Sequence, residues 1–96
     1  MKGPDLRKLT AVVWEDMYES AGMLLGQLLE MDIQVEAEDE EGIRKELLEL
    51  IKWIEDLGDF ETGKKSPRKY WNMKKRAKQV EGVRTDNTEM EIWRVM

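Results

Sequence analysis

The sequence predicts an α+β fold that is mostly helical, with a small C-terminal β-hairpin. Three observations predict it. Apolar residues recur at helical spacing through the first third of the chain and again over residues 40–58. Ser66-Pro67 opens a basic stretch as a helix start would, with Ser as N-cap and Pro at the first helical position. Residues 80–95 hold two β-prone runs, VEGVR and EMEIWRV, on either side of the turn-forming TDNT.

The first element is expected as one long helix over residues 5–30. Pro4 and Asp5 suit its start, by fixed φ and by the positive end of the helix dipole. Leu6, Leu9, Val13, Met17, Ala21, Leu24, Leu28 and Met31 follow at steps of three and four, and Trp14, Tyr18, Leu25 and Leu29 widen the apolar face. Gly22 and Gly26, one turn apart, admit the close approach of another helix. So broad a face has two readings. One is packing within the chain; the other is a homodimer surface made of Trp14, Tyr18, Gly22, Leu25, Gly26 and Leu29.

Residues 33–37, IQVEA, alternate and read as a short strand. The acidic run EDEE at 38–41 leads into a helix over 40–58, with Ile43, Leu47, Leu50, Ile51, Ile54 and Leu57 on one stripe and Gly58 as its cap. The basic helix is expected over 67–79 and the hairpin over 80–95, all within one domain, 1–96. On a helical wheel Tyr70, Met73, Ala77 and Val80 form the inward stripe of the basic helix. Trp71 falls on its outer, basic side.

Composition excludes several functions. The chain has no Cys and no His, which removes thiolate chemistry and the side chain most used as a general base or zinc ligand. No phosphate-binding glycine loop is present, and the carboxylates Glu36, Glu38, Asp39, Glu40 and Glu41 lack the spacing of a calcium loop. An enzyme is not expected, nor a cofactor, nor a metal. No apolar run approaches a membrane span and no signal-peptide core is visible, so a soluble, cytoplasmic protein is expected. The 39% charged content with little Asn or Gln fits a heat-adapted composition.

Charge is distributed unevenly. Net charge is −5, yet eight of the 16 Lys/Arg fall between Lys64 and Lys78, a stretch without one acidic residue. Phosphate is the natural partner for such a run. The candidate contacts are Lys64, Lys65, Arg68, Lys69, Trp71, Asn72, Lys75, Arg76, Lys78 and Gln79, with Arg84 from the hairpin. Asn72 and Gln79 suit an adenine edge, and Arg68 or Lys75 a guanine edge. Three readings of the run stay open: a solvated face whose charges pair with the acidic remainder of the chain, a nucleic-acid surface, and a site for a protein or other anionic partner. Trp71 either packs on a neighbour such as Trp93 or stacks on a base.

The order helix, strand, helix, helix, strand, turn, strand resembles that of winged helix-turn-helix DNA-binding domains. The resemblance implies that residues 67–79 enter the major groove and that the hairpin touches the DNA backbone or minor groove. A second helix longer than usual and a seven-residue loop before the third depart from that pattern. Locally, Ser66, Pro67, Arg68, Tyr70, Trp71, Lys74, Lys75 and Arg76, within residues 66–82, are similar to a segment of the Bro-N domain of phage and viral antirepressors, itself a DNA-binding domain. Together they imply a small transcriptional regulator of viral, plasmid or thermophilic microbial origin that binds duplex DNA. The alternative is an acidic protein-interaction module that mimics nucleic acid and docks on a basic partner.

Overall fold

The computed structural model describes residues 7–17, 22–57 and 65–95. Their order is β1 (Arg7–Glu15), β2 (Leu24–Leu28), β3 (Ile33–Ala37), α1 (Glu40–Leu57), α2 (Arg68–Lys74), β4 (Ala77–Arg84) and β5 (Thr88–Val95). The five strands form one mixed sheet in the order β3-β2-β1-β5-β4. All neighbours are antiparallel except the central pair β1 and β5, which run parallel with Arg7 opposite Thr88 and Val13 opposite Arg94.

This overturns the winged helix-turn-helix expectation. Of the described residues, 45% are strand and 32% helix, so the fold is not mostly helical. The expected helix over 5–30 is instead the hairpin of β1 and β2; residues 5, 6 and 18–21 lie outside the described residues. The reason lies in burial. In β1 the run Ala11, Val12 and Val13 is fully buried because both faces of this central strand are covered. A strand buried on both faces loses its alternation, and its continuous apolar run then matches helical spacing as well as strand spacing.

Alternation along β1 sorts the molecule into layers. Leu9, Ala11 and Val13 face α1 and join one core with Leu24, Leu28, Met90 and Ile92. Helix α1 brings Ile43, Leu47, Leu50, Ile51 and Ile54 to that core from a single stripe. Its start is capped by Asp39, whose carboxylate accepts the Gly42 N–H at 2.7 Å, with Glu40 and Glu41 in the first turn. The opposite face of β1, Thr10, Val12 and Trp14, looks toward α2, where Tyr70 meets Trp14 with ring centroids 5.7 Å apart.

The expected dimer surface is dispersed by this arrangement. Trp14 is on β1, Leu25 and Gly26 are on β2, Leu29 is fully buried just after it, and Gly22 sits in a turn at φ 92°. Tyr18 lies outside the described residues. Gly26 does permit a close approach, but within the chain: a Cβ there would stand 3.2 Å from Val35 Cγ2 and 3.5 Å from Ile43. No helix seam joins these residues.

Two further boundaries move. The basic helix expected over 67–79 stops at Lys74, and residues 77–79 already belong to β4, so the hairpin begins three residues before the expected 80. Ala77 and Val80 are therefore not on a helical inner stripe. Val80 is 53% exposed where β4 shifts register between Gln79 and Glu81.

The layered core makes a direct prediction. Leu47→Ala removes a side chain with no exposure and is expected to cost about 2–5 kcal/mol. Trp53→Ala, at a residue half exposed on the outer side of α1, is expected to stay within about 0.5 kcal/mol. Urea unfolding of both variants checks the assignment of the α1 faces.

Candidate functional site

The basic segment is held from beneath by a buried polar anchor. Ser66 is 6% exposed. Its backbone N–H donates to Leu29 O at 3.0 Å, its hydroxyl donates to Leu28 O at 2.7 Å, and the same hydroxyl accepts from Gln27 Nε2 at 2.8 Å. Gln27, 1% exposed, also donates to Asp32 Oδ1 and accepts from Gln34 Nε2. Ser66 therefore does not cap α2. The cap position is Pro67, without a side-chain cap bond, and the Ser66 hydroxyl is committed to the end of β2 instead.

Helix α2 then lies across the sheet. Tyr70 rests on Trp14, and Met73 reaches toward the end of β1. Trp71 is half-buried and donates its indole N–H to Ser66 O at 3.1 Å, so it braces the anchor and does not project from the basic side as the helical wheel predicts. The helix closes with Lys75 and Arg76 N–H groups bonded to the carbonyls of Asn72 and Met73, a tight turn that delivers the chain into β4.

Six cations occupy this short span: Lys65, Arg68, Lys69, Lys74, Lys75 and Arg76. All are exposed except the half-buried Lys74, whose ammonium sits 4.6 Å over the Trp93 ring. The ion pairs formed, Arg44 with Glu81 and Arg94 with Glu40, use none of them. Internal pairing with the acidic remainder of the chain is thus not what these charges do among the described residues. The helix covering the other side of the sheet is acidic: α1, residues 40–57, carries six Asp/Glu against three Lys/Arg.

The remaining expected contacts divide. Asn72 is exposed beside the cations, as is Gln79 on the α2 face of β4. Lys78 pairs in register with Arg94, whose side chain reaches Glu40 of α1, so alternation turns Lys78 to the acidic side. Arg84 is at the far end of β4, about 23 Å along the strand from Ala77. Lys64 lies outside the described residues. Beside the expected Lys75, the structure brings in residues that the expected set lacks. Lys74, Lys75, Ala77 and Trp93 line a shallow recess of about 270 Å³. Trp14, Glu15, Asp16, Met17, Met73, Arg94 and Val95 line an open groove of about 600 Å³. No linear pattern links Trp14 or Trp93 to the basic run; only the sheet register brings them under α2.

Comparison with protein families, with curated proteins and with solved structures finds no match for this chain. Among the described residues no cluster of carboxylates is arranged to hold a metal, and no helix is long and apolar enough to cross a membrane.

The anchor distinguishes itself from a helix cap by experiment. Asp serves as an N-cap as well as Ser does, so a capping Ser66 would tolerate Asp. A buried hydroxyl that must donate to Leu28 O would not. Ser66→Ala is expected to cost about 1–3 kcal/mol, and Ser66→Asp more, because it buries a charge beside the Leu28 carbonyl. Denaturant unfolding of the two variants gives the order.

Proposed function

We propose that the protein binds duplex DNA by its phosphate backbone, through the basic segment Lys65–Arg76. The observation that carries this reading is the set of six cations, close in the chain, mostly exposed, and without an ion-pair partner among the described residues. Held together in this way they repel one another, and an array of phosphates relieves that repulsion while releasing counterions. The local similarity of residues 66–82 to a segment of the Bro-N domain, a DNA-binding domain of antirepressors, favours the same partner.

Two features favour a duplex bound along its backbone. Single-strand binders present successive bases to exposed aromatic rings. Here Tyr70 and Trp71 are both half-buried and engaged by Trp14 and by Ser66 O. Base-reading helices lay several side chains into the major groove. A seven-residue helix packed on the sheet through Tyr70 and Met73 has room for few. Contact through phosphates is the interaction that these side chains serve best. The acidic α1 side, facing the other way, disfavours approach in the wrong orientation.

A second reading rests on that acidic side. Trp53 and Leu57, four residues apart on α1, are 51% and 53% exposed among the acids. An acidic surface with exposed apolar groups suits a basic protein partner, the alternative named from composition.

Fluorescence anisotropy with a short labelled duplex separates the two. Affinity is expected to fall linearly on a log–log salt scale with a slope of about −4 to −5, the value for five or so phosphate contacts. The double variant Lys75→Glu, Arg76→Glu is expected to flatten that slope by about 2 and to weaken binding at least about tenfold at roughly 50 mM salt. Absence of duplex binding at that salt sinks the proposal.

A further inference from the structure

We infer that the groove beside α2 is a pocket for one unpaired nucleobase belonging to the nucleic acid held on the basic segment, an inference that rests on the function proposed above. The groove, about 600 Å³, has the size of small-ligand sites. Its apolar walls are Trp14, Met17, Met73 and Val95. The Trp14 ring is braced by Tyr70, at 5.7 Å and an interplanar angle of 31°. A braced aromatic ring flanked by two Met side chains is suited to stacking on a flat, polarizable ring.

Position ties the groove to the cations. Met73 lines the groove, and the next two residues, Lys74 and Lys75, line the recess over Trp93. Trp93 and Val95 are two residues apart on β5, so they share a face of the strand and stand about 7 Å apart. The recess, with two ammonium groups, favours a phosphate. The groove, one strand step away, favours a flat apolar ring. That spacing suits the phosphate and the base of a single nucleotide.

Charge in the lining sharpens the choice of occupant. Glu15 and Asp16 also line the groove, and Arg94 is tied to Glu40 at 3.0 Å and to Val95 O at 2.7 Å. Carboxylates there disfavour a second phosphate inside the groove. The exposed Glu15 carboxylate suits a hydrogen bond from an exocyclic amino group, such as cytosine N4, which thymine lacks. The preferred ligand is therefore a duplex carrying one unpaired, amino-bearing base at an end or a bulge.

The test compares duplexes of one sequence, blunt or with a single-nucleotide cytosine or thymine overhang, bound to the wild type, to Trp14→Leu and to Met17→Asp. Met17 is 71% exposed, so its replacement spares the core if Trp14→Leu does not fold. The readout is the ratio of overhang to blunt affinity within each variant, which a reduced folded fraction does not move. In the wild type the cytosine overhang is expected to bind about 5- to 100-fold tighter than the blunt duplex, the range for stacking one base, and tighter than the thymine overhang. In Met17→Asp and Trp14→Leu the ratio is expected to fall toward one. Equal binding of blunt and overhang duplexes, with the salt slope intact, overturns the base pocket and leaves the proposed function standing. A ratio unchanged in both variants also overturns it. No binding of any duplex overturns both.

Discussion

Burial of β1 on both faces is the constraint from which the rest of the molecule follows. A central strand with Ala11, Val12 and Val13 all out of water needs a cover on each side. On one side α1 supplies it with a full apolar stripe of five buried residues. On the other, the two-turn α2 has no buried side chain of its own, and it lies flat through half-buried aromatic and Met contacts. The long acidic helix and the short basic one are thereby placed on opposite faces of the same sheet. Separation of charge in space is a by-product of the demand that β1 be covered twice.

The parts of the fold legible in the sequence were those where one local rule acted alone. The alternating IQVEA is β3, and the stripe of α1 stands out because one face is buried and the other is solvated. The β1–β2 region was illegible for the opposite reason. Where both faces are buried, periodicity carries no information about conformation, and nothing in the run itself distinguishes a strand from a buried helix. Ser66-Pro67 failed differently. Its residue types do fit a helix start, and α2 does begin at Arg68, but the hydroxyl is taken by Leu28 and Gln27, which stand 38 and 39 residues away in sequence. A local rule was overridden by a long-range hydrogen bond.

The candidate site shows the same division. The cations were visible as a composition anomaly, and they lie together because they are neighbours in the chain. That Trp14, Trp93 and Val95 join the basic segment in one site is not legible in the sequence, because only strand pairing brings them beside Met73 and Lys74. Trp71 changed role: its indole N–H secures the backbone at Ser66, and the helix it was expected to decorate is pinned by it. The basic segment is thus rigid at its base, with Gln27, Ser66 and Trp71 fixing the position from which its cations project.

The central parallel pair has a consequence for how the chain acquires its shape. Arg7 pairs with Thr88 and Val13 with Arg94, so the middle of the sheet is closed by segments from distant parts of the chain. Until β5 arrives, β1 has one neighbour, β4 has none, and the core between sheet and α1 lacks Met90 and Ile92. Such non-local closure slows folding, since the entropy of a large loop is lost before the contacts that offset it form. During synthesis on a ribosome the hairpin of β1 and β2 would wait, edge exposed, for the last strand to emerge. Pairing of β1 with β5 therefore joins the most distant strands of the sheet, and until it forms the open edge of β1 is exposed to misassociation.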